Sequence, residues 1–279
     1  MNGQVEKYER YKTIAQFSRT SILSEFDKLV YSSPFVSLEF SSKIQQDHVL
    51  WKRINVWWHR NPQKSFRAIL KFIDSVNHSD GSLHLDSSPV RPLMSLTSTS
   101  EVKYVILGID EREHRADSRV KVWAIVRNDG KRLEDLAQEF PDLSGWGEIL
   151  TVFRVDDIAY GVELYFDGRT TRRGFYGCLH GDQIADAAFT SRLKSFFADP
   201  IMDLITASRQ VEVSLRRDSK RILHFHPIHA DLFLRCLDNE LINEVDKLFC
   251  RNGYQLNVVS LVEAEICEGR PRNINLYYV

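Results

Sequence analysis

Residues 158–169 alternate cleanly between apolar and polar side chains, and this alternation is typical of a β-strand. One side of the strand carries Val162, Leu164 and Phe166, and the other carries Glu163, Tyr165 and Asp167. An Asp-Gly pair follows and predicts a turn. An amphipathic strand buries its apolar face, and its polar face turns to solvent or lines a site. The pattern therefore predicts a strand with a carboxylate beside a phenol on its polar face.

The net charge, the length of the apolar runs and the cysteine positions restrict the class of protein. At 279 residues and a formal net charge of −1, the chain offers no electrostatic case for nucleic acid or an anionic membrane as a partner. No apolar run reaches membrane-spanning length, and the N-terminus is too charged for a signal peptide. We expect a soluble, cytoplasmic monomer formed by a single domain over residues 1–279. The cysteines are far apart, which predicts neither a zinc site nor disulfides: Cys178, Cys236, Cys250 and Cys267.

Hydrophobic periodicity along the chain predicts one helix followed by two strands, repeated five times. Helices are expected over about 5–31, from Asn61-Pro62, around Leu133, Leu136 and Phe140, over about 182–198, and from Leu234 to Leu248. Strands are expected near 35–40, 49–58, 102–109, 119–127, 150–155, 160–167, 210–216, 220–226, 255–262 and 273–278. Residues 78–100 are rich in Ser, Thr, Asp and Pro and are predicted to form a long loop, and a glycine-rich connection is expected before residue 182.

This order predicts an α+β fold with about ten antiparallel strands, each covered on one face by helices. Closing such a sheet into a barrel ringed by helices removes its open edges and turns its second face into an interior. An open sheet with helices on one face is the alternative, and periodicity alone does not separate the two arrangements.

If the apolar faces contact the helices, the period of two identifies the side chains that point inward. They are Glu39, Arg53, Lys121, Trp123, Ile125, Arg127, Glu163, Tyr165, Glu212, Ser214, His224, His226, Asn275 and Tyr277. Taken singly, each is an ordinary residue of a solvated strand face. Five strands, however, place charged, polar or aromatic side chains on the inward face. Because buried charge is costly, such an interior is a poor packed core. It suits an anionic ligand with an apolar tail, whose anion would bind cations and whose carbocation would face aromatic rings.

Four segments of the sequence resemble the cyanobactin peptide prenyltransferases, which have the ABBA (αββα) barrel fold. They are Ser37-Leu-Glu-Phe-Ser-Ser-Lys-Ile44, Glu163-Leu-Tyr-Phe-Asp-Gly-Arg169 with the preceding Gly161, Ile222-Leu-His-Phe-His226 and Asn273-Ile-Asn-Leu-Tyr-Tyr278. The segments span nearly the whole chain in the family's order, and the one that contains Glu163 is the most specific.

The resemblance implies transfer of an isoprenyl group, dimethylallyl or geranyl, from its diphosphate to a side chain of a ribosomally made, macrocyclic peptide. It implies Mg²⁺ as the companion of the diphosphate and Glu39 as the base that takes the acceptor's proton. The diphosphate-binding positions implied by the resemblance are Arg53, Lys121, His226, Asn275 and Tyr277. The implied prenyl and acceptor pocket contains Trp123, Glu163, Tyr165, Val211, Glu212, His224 and Val258.

The chain departs from the family at several of these positions. Ile125 and Asn275 stand where relatives carry cations, so His224, Arg127 or Mg²⁺ would have to compensate. The wall near Val211 and Glu212, which sets the prenyl length in the family, holds no large aromatic residue. Glu212 would add a third carboxylate to those of Glu39 and Glu163. This favours arginine as the acceptor, with the oxygen of tyrosine, tryptophan and histidine as alternatives, unless Glu212 merely pairs with Lys121 or Arg53.

Two other functions remain open at this point. One is a non-catalytic barrel that binds a small amphipathic ligand, and the other is a prenyltransferase that acts on a small aromatic molecule instead of a peptide. A helical isoprenoid synthase is disfavoured because Asp156-Asp157 lacks the third aspartate of the Asp-Asp-x-x-Asp motif.

Overall fold

The structure of the protein is a computed structural model that describes residues 3–17, 20–32, 37–46, 48–130, 152–174, 176–215, 220–237, 239–269 and 271–279. Within these ranges the fold is α+β, with one eleven-stranded sheet and ten α-helices. The expectation of an α+β chain with about ten antiparallel strands is therefore confirmed. The helix predicted around Leu133, Leu136 and Phe140 lies outside the described residues.

The strands are β1 Ser37–Gln45, β2 His48–Trp58, β3 Val102–Asp110, β4 Arg119–Arg127, β5 Asp157–Tyr165, β6 Thr170–Gly174, β7 Tyr176–His180, β8 Ser208–Leu215, β9 Arg221–Pro227, β10 Leu256–Val262 and β11 Asn273–Tyr278. Their order in the sheet is β6-β5-β4-β3-β2-β1-β11-β10-β9-β8-β7, and all neighbours are antiparallel.

The two strands at the ends of this order are consecutive in the chain. One residue separates Gly174 at the end of β6 from Tyr176 at the start of β7, so their Cα atoms lie within about 7 Å of each other. The sheet must therefore curl until its two outer strands approach each other. The sequence predicted a connection here, but residues 170–174 form a strand that pairs with β5, and residues 176–180 form a strand that pairs with β8.

The helices are α1 Gly3–Ile14, α2 Ser21–Ser32, α3 Pro62–Ser79, α4 Val90–Ser95, α5 Gly181–Ala185, α6 Ala187–Leu193, α7 Asp199–Thr206, α8 Ala230–Arg235, α9 Glu240–Arg251 and α10 Glu263–Cys267. None of the described helices combines the length and the apolar character that crossing a bilayer requires.

Several predicted elements are wrong in their boundaries. The helix predicted over 5–31 is two helices, and Gln16, with a φ of 49°, lies in the break between them. The helix predicted over 182–198 is interrupted at Asp186, whose side chain caps α6 by accepting a hydrogen bond from the Phe189 amide. Asn239 caps α9 in the same way and separates it from α8. Side chains that cap a helix stop the preceding one even where the apolar period continues.

Three further predictions are corrected. Helix α4 lies within the predicted loop 78–100, and helix α7 was not predicted. Within the described part of 150–155, Arg154 forms only an isolated bridge to Cys178 instead of a strand.

The alternation of strand burial follows the predicted faces. On β4, Val120, Val122 and Ala124 are fully buried in the core, whereas Lys121 and Trp123 between them are only partly buried. Strands β9 and β11 show the same period of two. The apolar face contributes to one continuous hydrophobic core, and the other face lies on the inside of the curl.

A β-bulge on β2 sets the position of Arg53. The register between β1 and β2 shifts between Ser41 and Lys43, and Lys52 adopts a φ of 33° at this point. The hydroxyl of the fully buried Tyr11 binds the bulge: it donates to the carbonyls of Ser41 (2.9 Å) and Arg53 (3.1 Å) and accepts from the Arg53 amide (3.2 Å). Helix α1 thereby supports the strand segment that carries Arg53.

We predict that Tyr11→Phe lowers the free energy of unfolding by about 1–3 kcal/mol, because the Ser41 carbonyl and the carbonyl and amide of Arg53 lose their hydroxyl partner. Urea denaturation measures this change. The matched control is Tyr31→Phe. Tyr31 is 53% exposed, so loss of its hydroxyl group should change the free energy of unfolding by less than about 0.5 kcal/mol. Equal effects at the two positions would contradict the role assigned to the Tyr11 hydroxyl.

Candidate functional site

The curled sheet encloses a cavity of about 640 Å³, which we call the chamber. The structure places these residues of the predicted site on its lining: Glu39, Arg53, Lys121, Trp123, Glu163, Glu212, His224, His226, Val258, Asn275 and Tyr277. They come from strands that are distant in sequence. The inner face of the sheet therefore brings together side chains that the alternation pattern had only assigned to a common side.

Three residues are not where the sequence placed them. Val211 is fully buried in the core, because it alternates with Glu212 and so faces away from the chamber. Arg127 is exposed at the end of β4 and pairs with Glu101, so it does not compensate for a missing cation. Tyr165 ends β5 beside the chamber lining, where its hydroxyl donates to Glu163 at 3.2 Å.

A fully buried carboxylate, Asp110, lies at the centre of the cations of the chamber. It pairs with Arg112 Nε and Arg119 Nη2, both at 2.9 Å, with Lys121 Nζ at 3.2 Å and with Arg53 Nε at 3.5 Å. We call these five residues the Asp110 cluster. Four cations around one anion leave an excess of positive charge, which is the property that an anion-binding site requires.

The charges of the cluster change the protonation of its members. Burial alone would raise the pKa of Asp110, but the attraction of Lys121, Arg53 and Arg119 holds it well below its usual range. Burial lowers the pKa of Lys121 to about 7, although Asp110 and Glu163 act in the opposite direction. Lys121 is therefore poised between its charged and neutral forms near neutral pH.

Arg53 and Arg119 extend the cluster to both sides of the chamber. Arg53 donates to Asn275 Oδ1 at 2.6 Å, and its guanidinium carbon lies 5.9 Å from the centre of the Tyr277 ring. Arg119 donates to Glu163 Oε2 at 3.3 Å and to the Tyr165 hydroxyl at 3.0 Å. The predicted diphosphate positions on β2, β4 and β11 thus lie around one cationic centre.

Glu39 is a buried carboxylate with a neutral partner. Its Oε1 accepts a hydrogen bond from the Asn55 amide at 2.7 Å, and among the described residues it forms no ion pair. Burial raises the pKa of Glu39 to about 7, although Asn55, His226 and Arg53 lower it. A carboxylate with this pKa is suited to accept a proton near neutral pH.

Gly108 makes room for the partner of Glu39. A Cβ atom at Gly108 would lie 2.3 Å from Asn55 Oδ1, so a larger residue would displace the amide that holds Glu39. Glu39, Asn55 and Gly108 face one another on three adjacent strands.

Glu212 and the two histidines occupy the opposite wall. Glu212 Oε1 lies 3.4 Å from His226 Nε2 and accepts from Gln210 at 2.8 Å. Burial would raise the pKa of Glu212, but His226 keeps it below its ordinary value. Burial lowers the pKa of His224 to about 4, so this histidine is neutral between Ser214 (2.8 Å) and Ser260 (2.6 Å) and does not replace a missing cation.

Aromatic rings line another part of the chamber, which we call the aromatic wall. Trp57, Tyr104 and Trp123 line the chamber, with His59 packed edge-on against Tyr104 at 4.3 Å between ring centres. Gly161 opposes Trp123 on the neighbouring strand, and a Cβ atom there would lie 2.4 Å from Trp123 Cε3. The absence of a side chain at Gly161 therefore allows the indole to lie flat against β5.

A further group of titratable residues lines the chamber on β7 and just before β5. His180 Nε2 lies 2.8 Å from Asp156 Oδ2, and Cys178 Sγ lies 3.9 Å from His180 Nδ1. Burial raises the pKa of Cys178 to about 12, so its sulfur is a protonated thiol and is not activated as a nucleophile.

The chamber offers no carboxylate cage for Mg²⁺. In the described ranges, no group of three or more His, Cys, Asp or Glu residues is arranged to hold a metal ion. Asp110 is surrounded by four cations, and Glu163 accepts from Arg119 and two hydroxyl groups, so neither is suited to ligate a second cation.

Sequence reasoning missed three members of the Asp110 cluster. Arg119 has the parity of Lys121 on β4 and was identifiable from the same alternation. Asp110 is the last residue of β3, one position beyond the predicted end of that strand. Arg112 follows β3, outside any alternating pattern, so nothing in the sequence indicated its position.

We predict that Gly161→Ala lowers the free energy of unfolding by about 1–3 kcal/mol, because the new methyl group overlaps the Trp123 ring. Urea denaturation followed by tryptophan fluorescence measures both the stability and the displacement of the ring. Gly81→Ala is the control, since a Cβ atom at Gly81 meets no atom within 4 Å. If both variants were as stable as the wild type, the close contact between Gly161 and Trp123 would be wrong.

Comparison with known proteins identifies one family. The model of a family of unknown function, DUF5838, matches residues 21–279, which include every strand of the sheet. No curated protein matches the chain. The family description assigns no activity, so the chemistry of the chamber has to indicate one.

Proposed function

The chain belongs to the family of unknown function DUF5838, and from the geometry of its chamber we propose that it is a peptide prenyltransferase. The proposed reaction transfers an isoprenyl group, dimethylallyl or geranyl, from its diphosphate to a side chain of a peptide. The proposed peptide is macrocyclic and of the cyanobactin type. The resemblance of four sequence segments to the cyanobactin prenyltransferases also supports this proposal.

One observation carries the proposal: a cation cluster, an aromatic wall and a buried carboxylate with a pKa of about 7 line the same cavity. Prenyl transfer needs these three parts together, because the departing diphosphate is an anion, the allyl group becomes cationic and the acceptor loses a proton. The barrel of the ABBA type is the corresponding proposal for the fold, and the near meeting of β6 and β7 supports it.

The first step of the proposed mechanism is cleavage of the bond between C1 of the prenyl group and the diphosphate oxygen. The electron pair leaves with the diphosphate. Arg53, Arg119 and Lys121 are directed into the chamber from two strands and would stabilise the developing negative charge. His226, Asn275 and Tyr277 supply further donors from β9 and β11. Mg²⁺ would accompany the diphosphate and neutralise part of its charge.

The aromatic wall would stabilise the other product of this cleavage. The faces of Trp57, Tyr104 and Trp123 carry the negative part of the ring quadrupole and attract a cation within about 6 Å. The apolar side chains of Ile106 and Ile125 line the chamber beside them and exclude water from the allyl cation. Exclusion of water favours transfer to the acceptor over hydrolysis.

The acceptor atom then attacks C1, and its proton passes to Glu39. The carboxylate must be ionised for this transfer, and the raised pKa makes it a stronger base than an ordinary glutamate. Asn55 fixes the orientation of Glu39 without neutralising its charge.

We propose arginine as the first acceptor to test. Glu39, Glu163 and Glu212 are among the carboxylates that line the chamber, and a guanidinium group binds carboxylates through paired, charge-assisted hydrogen bonds. Glu212 does point into the chamber, but it is engaged by His226 and Gln210 rather than by Lys121 or Arg53. Tyrosine, tryptophan and histidine are the other acceptors in the same test.

The test is mass spectrometry of cyclic peptides that each contain one arginine, tyrosine, tryptophan or histidine, with dimethylallyl or geranyl diphosphate as donor. A mass gain of one prenyl unit on one peptide supports the proposal and identifies donor and acceptor. Small phenols and indoles are tested in parallel, and a product formed with these alone indicates a small-molecule prenyltransferase. Binding of the diphosphate without any transfer indicates a barrel that only holds an amphipathic ligand.

We predict that Glu39→Gln reduces turnover at least about 100-fold, the usual contribution of a general base, while the affinity for the donor changes little. Transfer assays and calorimetric titration with the donor measure the two quantities separately. Glu101→Gln is the matched control, because Glu101 is exposed and pairs with Arg127 on the surface. An active Glu39→Gln variant would exclude Glu39 as the base.

We predict a bell-shaped dependence of kcat/KM on pH, with both limbs near pH 7. Activity rises as Glu39 ionises through its pKa of about 7, and it falls as Lys121 loses its proton above a pKa of about 7. Lys121→Arg should remove the alkaline limb and retain the acidic one, because a guanidinium stays charged at these pH values. An alkaline limb that persists in Lys121→Arg contradicts the assignment to Lys121.

A further inference from the structure

The Asp110 cluster contains an anion where an anion-binding site would be expected to contain only cations. Asp110 has no exposed surface, and its two oxygens contact side chains from β2, from β4 and from the residues that follow β3. Each of these cations could otherwise face a bound diphosphate. The buried carboxylate thus competes with the proposed diphosphate for the cations that would bind the diphosphate.

Without an anion between them, the cations of the cluster would repel one another. Lys121 faces Asp110 on β3, Arg53 on β2, Arg119 on its own strand and Glu163 on β5. Two of these four neighbours repel a charged ammonium group. In a buried setting, repulsion and lost hydration favour the neutral amine, and an adjacent carboxylate opposes both effects.

We propose that Asp110 is the positioning residue of the anion site: its carboxylate holds Arg53, Arg119 and Lys121 in place and keeps Lys121 positively charged until the anion binds. This proposal rests on the proposed diphosphate site. Asp110 does not touch the reacting atoms in this scheme, and it acts through the cations that do. When the diphosphate enters, it adds to the negative charge that the cluster otherwise receives from Asp110 and Glu163.

A purely structural aspartate would behave differently from a positioning residue. Its removal would weaken folding or lower anion affinity by the same factor at every pH. Removal of a positioning Asp110 makes the loss of affinity depend on pH, because Lys121 then deprotonates at a lower pH. Loss of an opposite charge within about 4–6 Å lowers the pKa of a lysine by about 1–3 units.

The experiment is calorimetric titration of the full chain with inorganic pyrophosphate between pH 6 and pH 8. The quantity compared is the ratio of the Kd of Asp110→Asn to that of the wild type at each pH, so that the ionisation of pyrophosphate itself cancels. We expect this ratio to rise by about five- to tenfold from pH 6 to pH 8. Asp110→Glu keeps the charge and should give a ratio that does not change with pH. Asp80 pairs with Arg115 at the surface, and Asp80→Asn is the control. The ratio of its Kd to that of the wild type should stay near one at every pH.

A second variant keeps the test decisive if Asp110→Asn does not fold. Arg112→Gln removes one of the four cations that share Asp110, so Lys121 should retain its proton to a higher pH. The ratio of its Kd to that of the wild type should therefore fall between pH 6 and pH 8. A ratio that rises with pH in this variant overturns the proposal.

Other outcomes separate this proposal from the proposed function. A Kd ratio for Asp110→Asn that is constant with pH, or that falls from pH 6 to pH 8, overturns the role of Asp110 even if prenyl transfer is observed. A wild-type protein that does not bind pyrophosphate overturns it as well. The expected ratios together with no transfer to any acceptor support the role of Asp110 and leave the prenyltransferase assignment without support.

Discussion

The constraint on which the structure depends is that every strand has two faces and the helices cover only one of them. The apolar face joins a continuous core with the helices. The curl of the sheet encloses the other face, so side chains that would be solvated on an open sheet become buried in a chamber. Buried charges must then be balanced against one another, since water no longer screens them. Folding and the chemistry of the chamber are therefore set by the same alternation.

Charge balance explains the arrangement within the chamber. Arg53, Asp110 and Arg119 lie on three adjacent strands in register with one another, so the anion is held between its two cationic neighbours by the sheet itself. The bulge at Lys52 and the hydroxyl of Tyr11 hold the strand segment that bears Arg53. Helix α1, which lies on the outside, thus contributes to a contact on the inside. A change in the register of β2 would move these charges apart and would leave each of them buried without its partner.

The sequence could predict the side of each strand but not the neighbours across strands. The alternation on β4, β9 and β11 is local, and it correctly assigned Lys121, His226 and Tyr277 to the inner face. The Asp110 cluster depends on registers between strands that are far apart in the chain, and an amphipathic pattern does not contain this information. Helix interruptions at Asp186 and Asn239 were missed because their apolar period continues past the capping side chain. The resemblance placed Val211 in the pocket, whereas its alternation with Glu212 predicts that it faces the core. The structure agrees with the alternation.

The partner of Glu39 favours a catalyst over a barrel that only binds a ligand. Burying a carboxylate beside a neutral amide destabilises the folded protein at any pH at which the group is charged, and this cost is visible in its raised pKa. The same chamber pairs Asp110 with four cations and Glu212 with His226, so the fold is able to neutralise its inward carboxylates. A binding barrel would gain nothing from leaving Glu39 unneutralised, because a carboxylate offers no attraction to an anionic ligand. The proposed reaction, in which the acceptor releases a proton beside the departing diphosphate, would require such a group and would account for its cost in stability.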